Sequence, residues 1–463
     1  MNNCVIIIFG VTGDLAKRKL IPALYALVAA NKYEKLVIVG VAIDNTTIED
    51  VLEQSRPFVK DVNERVWNQL IQNAFYQKLD FTVEHDFKTL QDRVSELEER
   101  YSFAGSRLAY FASPPNYFCM LTRYCATSGL IKKVAKDEPF FNKIVYEKPF
   151  GNSLESAREI NACIAKFFYE DQIYRIDHYL TKEVVGNIVL VRFTNAIFEP
   201  IWDYRFIDQV TIILDEEICM EGRGIYYDTY GAMRDVVQNH MLELLSLVAM
   251  DTPQLLTGEY IRDERVRVLQ HVSFVDGILG QYEGYKKEKG VSCDSTTETF
   301  SSLIFNVNNE RWAGVPFYLK TGKCLGEKMT EIQIRFTDVQ CLLLQGCPGD
   351  SNYLTINVYP TGAFSLSLNA KKPGMLNEII PVDMDFCHSC QFGPSAPESY
   401  EVLFEEILKG EQSISVRFDE IEYLWNIIDM VYKKDLLLYP YQKGSDGPSQ
   451  VKEFEKKHKL RIR

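Results

Sequence analysis

Two short stretches concentrate groups that can move a proton and hold an anion. Tyr174-Arg175-Ile176-Asp177-His178-Tyr179-Leu180-Thr181-Lys182-Glu183 places a carboxylate, an imidazole, phenols and an ammonium side by side. Arg234-Asp235-Val236-Val237-Gln238-Asn239-His240 opens an apolar-periodic helical pattern, MLELLSLVAM. The chain has only 6 histidines, and two of them stand in these clusters, each with an aspartate. An imidazole with a pKa near ~6.5 exchanges its proton at neutral pH. A lone histidine is more often a packed or surface residue; pairing with Asp in both places favours chemistry. A helix after Asp177 would put His178 and Lys182 on one face. With Tyr179 they would offer three donors to one anion. A third group, Cys387-His388-Ser389-Cys390, has metal-ligand spacing. There is no second Cys-x-x-Cys to complete a zinc site, so two ordinary thiols and no metal are expected.

The elements that must position these residues begin at the N-terminus. Residues 4–9, CVIIIF, read as a buried strand. Gly10-Val11-Thr12-Gly13 follows, then the helical pattern DLAKRKLIPALYALVAA and a second strand, Leu36–Ala42. Strand, glycine turn, helix, strand is the layout of a dinucleotide-binding unit, in which free helix N–H groups face a pyrophosphate. Thr12 interrupts the full G-x-G-x-x-G pattern, so a plain βα turn is the competing reading. Arg107–Phe111 and Lys143–Tyr146 read as further strands. They end in Ala112-Ser113-Pro114-Pro115 and Glu147-Lys148-Pro149-Phe150-Gly151, on the side where open parallel sheets bind ligands. A cis bond before Pro149 would fix the direction of Lys148; an ordinary trans turn is the alternative. Farther on, 299–307, 331–336, 353–360 and 364–370 alternate as strands, and 401–410 and 419–433 are helical. The fold expected is α/β plus α+β. A Rossmann-like domain covers 1–176, and 177–463 forms a substrate-binding and oligomerisation domain with a mostly antiparallel sheet.

Composition limits the partners. The 463 residues carry 51 Lys+Arg against 64 Asp+Glu, a formal charge of −13, with 46% hydrophobic residues. Such a chain is globular, and its acidity excludes a general nucleic-acid surface. No apolar run reaches the ~18 residues of a membrane span. The N-terminus lacks the basic leader and cleavage site of a secretory signal, and 11 scattered cysteines suit a reduced cytoplasmic protein. Any anion site must therefore draw on a local cluster of cations.

Taken together, GVTGDLAKRKLIPALY, RLAYFASPP, VYEKPFG, DQIYRIDHYLTKE, FEPIWD, EGRGIYYDTYGAMRDVVQNHMLELLSLVAMD, ERWAGVPFYLKTGKCLGEK and AKKPGM resemble the glucose-6-phosphate dehydrogenase family in order and spacing. The resemblance implies oxidation of glucose 6-phosphate at C1 to 6-phosphoglucono-lactone with hydride transfer to NADP or NAD, the step that opens the oxidative pentose-phosphate route. It implies His240 as general base and Asp177 as its charge-stabilising partner. His178, Tyr179, Lys182, Lys323 and Lys328 would take the sugar phosphate, and Lys148 would reach both sugar and cofactor. Glu216, Asp235 and Asn239 would take sugar hydroxyls, with Lys19 at the pocket edge. Gly10, Thr12, Gly13, Asp14 and Leu15 would line the pyrophosphate; Tyr110, Ala112, Ser113 and Pro114 would flank the dinucleotide. A homodimer or homotetramer is implied as well. A non-catalytic sensor on the same fold, or a dehydrogenase of another sugar, are the alternatives, and the intact base and cation set disfavours both.

Three departures from the family pattern stand out. Ile43 occupies the place where NADP-using members usually carry Arg, and Asp44 follows it. An acidic residue there suits a free ribose 2′-hydroxyl and repels a 2′-phosphate, which tilts the expectation from the family's NADP towards NAD or dual use. Thr12, Lys17 or Arg18 would be the fallback for a phosphate. Thr181 replaces the family's usual Gly, with a φ < 0 backbone expected. Met329 and Gln333 fall where a second, structural NADP site would want cations, so that site is not expected.

Overall fold

The structure, a computed structural model, describes residues 3–33, 35–338, 351–374, 379–387, 390–391 and 398–463. Two compact units emerge. The first comprises Met1–Thr181, Leu255–Arg262 and Pro397–Glu422, and the second Lys182–Gln254, Asp263–Ala396 and Tyr423–Arg463.

The first unit is built on a six-stranded parallel sheet. Its strands are β1 (Cys4–Phe9), β2 (Leu36–Ala42), β3 (Ala74–Lys78), β4 (Arg107–Phe111), β5 (Asn142–Tyr146) and β6 (Ile173–Arg175). Their spatial order is β3-β2-β1-β4-β5-β6. The continuous apolar run of β1 follows from burial on both faces, since helices cover both sides of a parallel sheet. Cys4, Ile6 and Ile8 pack with Leu20, Leu24 and Leu27 on one side. Val5, Ile7 and Phe9 pack with Phe87, Leu90 and Val94 on the other. The first face also receives Leu403, Phe404 and Ile407 from the helix Ser399–Lys409. The Lys143 ammonium donates to the Ile407 carbonyl at 2.5 Å and anchors the end of that helix. The unit therefore takes chain from far beyond a single boundary near residue 176.

The helix after β1 widens into a π-turn over Ala16–Leu20 before the α-helix Ile21–Ala29. Pro22 lacks an N–H, and the wide turn just before it absorbs the missing bond.

The second unit carries a nine-stranded, mostly antiparallel sheet. It contains β7 (Ile207–Asp215), β8 (Val272–Tyr282), β9 (Phe300–Val307), β10 (Pro316–Gly322), β11 (Met329–Phe336), β12 (Tyr353–Tyr359), β13 (Ala363–Lys371), β14 (Ile379–Cys387) and β15 (Leu438–Tyr441). The order is β14-β13-β12-β11-β7-β10-β9-β8-β15, with β7–β10 and β8–β15 the parallel pairs. Central β7 is nearly all buried, so the residues just past its end and past the end of β10 are held on a rigid base.

Cysteine pairing differs from the reduced state expected from the sequence. Cys119–Cys163, Cys219–Cys324 and Cys387–Cys390 are disulfides. The first two join residues 44 and 105 positions apart, a proximity that only the tertiary fold creates. Cys387 and Cys390 bond to each other rather than standing as two thiols, and His388 and Ser389 lie outside the described residues.

Candidate active site

In the first unit four strand ends gather the expected cofactor residues. Gly10 follows β1 with φ of +90°, and a Cβ there would lie 2.5 Å from the Ala112 carbonyl oxygen. Only glycine allows β1 and β4 to come this close at their ends. This is the point where the sheet order reverses, the place where such sheets bind ligands. Gly13 donates to the Gly10 carbonyl at 3.0 Å, closing the turn that carries Thr12 into the helix containing Asp14 and Leu15. The Thr12 hydroxyl donates to the Asp44 carboxylate at 2.6 Å, and Tyr76 donates to the Asp44 carbonyl at 2.6 Å. Ile43 beside it is 60% exposed. Arg18, one fallback for a 2′-phosphate, pairs with Asp14 at 3.4 Å and lies over the Phe58 ring. Lys19 pairs with Glu398 at 3.7 Å.

Beyond β4, the buried Ser113 hydroxyl has no partner among the described residues. An orphaned hydroxyl there fits a polar ligand along Ala112-Ser113-Pro114. Tyr110 is fully buried, and its hydroxyl donates to Glu147 at 2.5 Å, so its ring packs in the core rather than lining the strand end. Tyr400, brought in by the returning helix, donates to the same carboxylate at 3.4 Å. Burial raises the Glu147 pKa, opposed by these two hydroxyls and by Lys148. Lys148 itself precedes a cis bond to Pro149. Neither Glu147 nor Tyr400 was legible as part of this cluster. The only hint was the place of Glu147 beside Lys148.

After β6, Asp177 is buried and its carboxylate accepts the Tyr179 N–H at 2.8 Å. That side-chain turn competes with helix formation. The segment 178–181 accordingly runs through turns, and the helix starts only at Glu183 with Lys182 as its N-cap. His178 and Lys182 are thus not i, i+4 neighbours on a helix, as the sequence suggested. His178 packs on the Tyr179 ring at 4.8 Å between centroids. Thr181 is outside the positive-φ region, and its hydroxyl donates to the His178 carbonyl at 2.9 Å.

The second unit arranges the remaining expected residues. Just past β7, Glu216 forms an ion pair with the buried Lys323 just past β10. Neighbouring Asp215 pairs with Lys320 at 3.1 Å, and burial lifts its pKa to about 6 against the pull of that lysine. Burial, then the nearby Lys328 ammonium, lowers the Lys182 pKa. Lys328 also lies over the Tyr359 ring at 4.3 Å.

Asp235, Asn239 and His240 share a π-helical segment, Met233–Met241, that leads into the helix Leu242–Ala249. Such widened turns often mark functional sites. Two residues before the segment stands Gly231, whose φ of +62° and missing Cβ leave room for the Glu298 carboxylate. Glu298 accepts the Met233 N–H at 3.0 Å, and its own carbonyl accepts that of Ala232 at 2.9 Å. Tyr226 reaches Asp235 at 3.4 Å. Asn239 accepts the His240 N–H at 2.7 Å and donates to the Arg234 carbonyl at 3.2 Å. His240 is 2% exposed.

No helix among the described residues is long and apolar enough to cross a membrane. The family model described as glucose-6-phosphate dehydrogenase, NAD binding domain, matches residues 7–187, and that of the C-terminal domain matches 189–463. The chain is 35% identical to glucose-6-phosphate 1-dehydrogenase of Bacillus subtilis (strain 168), over 96% of this chain and 95% of the relative. It is 37% identical to glucose-6-phosphate 1-dehydrogenase 6, cytoplasmic, of Arabidopsis thaliana, over 98% of this chain and 90% of the relative. A solved glucose-6-phosphate dehydrogenase in complex with its substrate glucose-6-phosphate superposes with a TM-score of 0.91 at 33% identity, covering 100% of this chain and 99% of the other.

Proposed function

The chain belongs to the glucose-6-phosphate dehydrogenase family, and from that premise we propose how its residues oxidise glucose 6-phosphate at C1 to the lactone with a nicotinamide dinucleotide. The observation that carries the reading is the buried His240, held with Asp235 and Asn239 on one π-helical segment; Lys182 and Lys328 take the phosphate dianion. His178 and Tyr179 add donors to that dianion, and Lys323 approaches it from its place beside Glu216. Glu216, Asp235 and Asn239 accept or donate to sugar hydroxyls, and Lys148 orients both sugar and cofactor.

The dinucleotide supplies the hydride acceptor. Gly10, Thr12, Gly13, Asp14, Leu15 and Ala112-Ser113-Pro114 would hold it, with Tyr110 supporting that strand end from the core and Asp44 accepting from a ribose hydroxyl. The exposed Ile43 offers no charge to a 2′-phosphate, and Asp44 opposes one. NAD is therefore the favoured cofactor. His240 takes the C1 hydroxyl proton, and the Asp177 carboxylate compensates the imidazolium that forms. An oriented base of this kind is worth ~10²–10⁴ in rate. The enzyme works in the cytoplasm as a homodimer or homotetramer, and the reaction needs no metal.

The test is spectrophotometric: appearance of reduced nicotinamide with glucose 6-phosphate and either NAD or NADP. His240→Asn is expected to lose about a thousandfold in kcat with the glucose 6-phosphate KM little changed. A variant keeping most of its rate removes His240 as the base.

A further inference from the structure

The segment Met233–Met241 carries Asp235, Asn239 and His240, and its start is held from outside the helix. The helix before it, Gly224–Ala232, breaks at Gly231, where φ is +62° and ψ −179°. Past such a break the first main-chain N–H groups have no acceptor within the new helix. Those of Ala232 and Met233 both go to one residue. Glu298 takes the first on its main-chain carbonyl at 2.9 Å and the second on its carboxylate at 3.0 Å. Tyr432 donates to the same carboxylate oxygen at 3.3 Å. A carboxylate is favoured there twice, by the N–H groups and by the positive end of the helix dipole. Glu298 is buried and fastened to the sheet: Thr299 beside it donates to the Gly280 carbonyl of β8 at 2.7 Å, and β9 begins at Phe300. A Cβ at residue 231 would lie 2.5 Å from the Glu298 Oε1, so the break and the carboxylate fit only as a pair. Met233, Arg234, Glu298 and Tyr432 also border a cavity of about 490 Å³. With open space on that side, hydrogen bonds rather than close packing fix where the segment starts.

We propose that Glu298 is a positioning residue for the oxidation at C1, setting the place along the helix axis at which His240 meets the C1 hydroxyl. Asp235 stands two residues and His240 seven residues beyond Met233 on one continuous segment. A displacement at the start of that segment is carried along to both side chains. A misplacement of about 1 Å at a reacting centre costs about a hundredfold in rate. Glu298 thus acts through the segment rather than on the sugar. The inference rests on reading His240 as the base.

The experiment measures kcat in the full chain and counts binding sites by calorimetric titration with glucose 6-phosphate. Glu298→Ala is expected to lose about ten- to a hundredfold in kcat, with the dinucleotide KM within about twofold of the parent. Glu298→Gln keeps an oxygen for the Met233 N–H and should stay within about threefold of the parent rate. Glu298→Asp keeps the charge but draws the oxygens back by one methylene; it should lose rate like Glu298→Ala and serves in its place if that variant does not fold. The number of sugar-phosphate sites per chain should equal the parent's in each variant, so that the lost rate belongs to occupied sites. A merely structural role predicts fewer sites with an unchanged rate at each, and that result overturns the proposal. So does a full rate in Glu298→Ala, or a loss in Glu298→Gln as large as in Glu298→Ala. His240→Asn separates the two ways of failing. A full rate there removes the base itself, whereas a lost rate there beside an unimpaired Glu298→Ala removes the positioning role alone.

Discussion

Replacing Asp44 by Ala tests the cofactor reading at one side chain. The carboxylate is exposed at the end of β2 and held by the Thr12 hydroxyl at 2.6 Å. A 2′-phosphate of charge about −2 seated ~5 Å from it meets a repulsion of about 1.5 kcal/mol with the screening of bulk water, and about 3 kcal/mol at half that dielectric. Removing the charge is therefore expected to raise kcat/KM for NADP about ten- to a hundredfold. With NAD the same change removes a charge-assisted bond to the ribose, about 1.5–3 kcal/mol, so kcat/KM falls by about tenfold or more. Initial rates at saturating glucose 6-phosphate give both numbers. Asp44→Asn, which keeps the shape but not the charge, should recover the NADP gain with a smaller NAD loss. Added salt should narrow the NADP difference between parent and variants, because an exposed charge is screened within ~10 Å at 0.1 M. A ratio of NADP to NAD efficiency that stays within twofold in Asp44→Ala refutes the reasoning.

Two further predictions concern stability. Arg265 and Glu243 form a fully buried pair at 2.7 Å in the second unit, so Arg265→Ala removes one charge of a buried ion pair and should cost about 3–5 kcal/mol. Calorimetry should show that loss, and Arg265→Met/Glu243→Leu should recover most of it; a loss below 1 kcal/mol for the single variant contradicts the buried-charge account. Asp215 has a folded pKa raised to about 6, so the folded state holds the extra proton between pH ~4 and 6. Its contribution is full at low pH and is lost as pH rises through 6. Relative to Asp215→Asn, the parent should lose about 3 kcal/mol over that window, measured by denaturant titration at each pH; parallel pH curves for the two proteins would rule it out.

The local parts of this protein were readable from the chain itself. The runs CVIIIF, LVIVGVA and RLAYF are β1, β2 and β4, because burial on both faces demands unbroken apolar strands. Gly10 was readable as a turn residue because no other side chain tolerates its backbone. Short β3, AFYQK, was not, since its residues are only partly buried at the sheet edge and leave a weak pattern. The turn at 178–181 defeated a helical spacing argument because the Asp177 carboxylate captures the Tyr179 N–H, a choice invisible to periodicity.

What only the tertiary structure decided are meetings between distant segments. Tyr400 reaches Glu147 from 253 positions away, and the helix Ser399–Lys409 joins the first core although its sequence comes between β14 and β15 of the second unit. Lys323 finds Glu216 because β10 and β7 pair in parallel and end together. Cys219 meets Cys324 by the same register. Residue types and spacing determine which chemistry a chain carries, since charge, pKa and backbone freedom are local properties. Strand register and core packing decide which of those groups share a site, because the free energy that selects them belongs to long-range contacts.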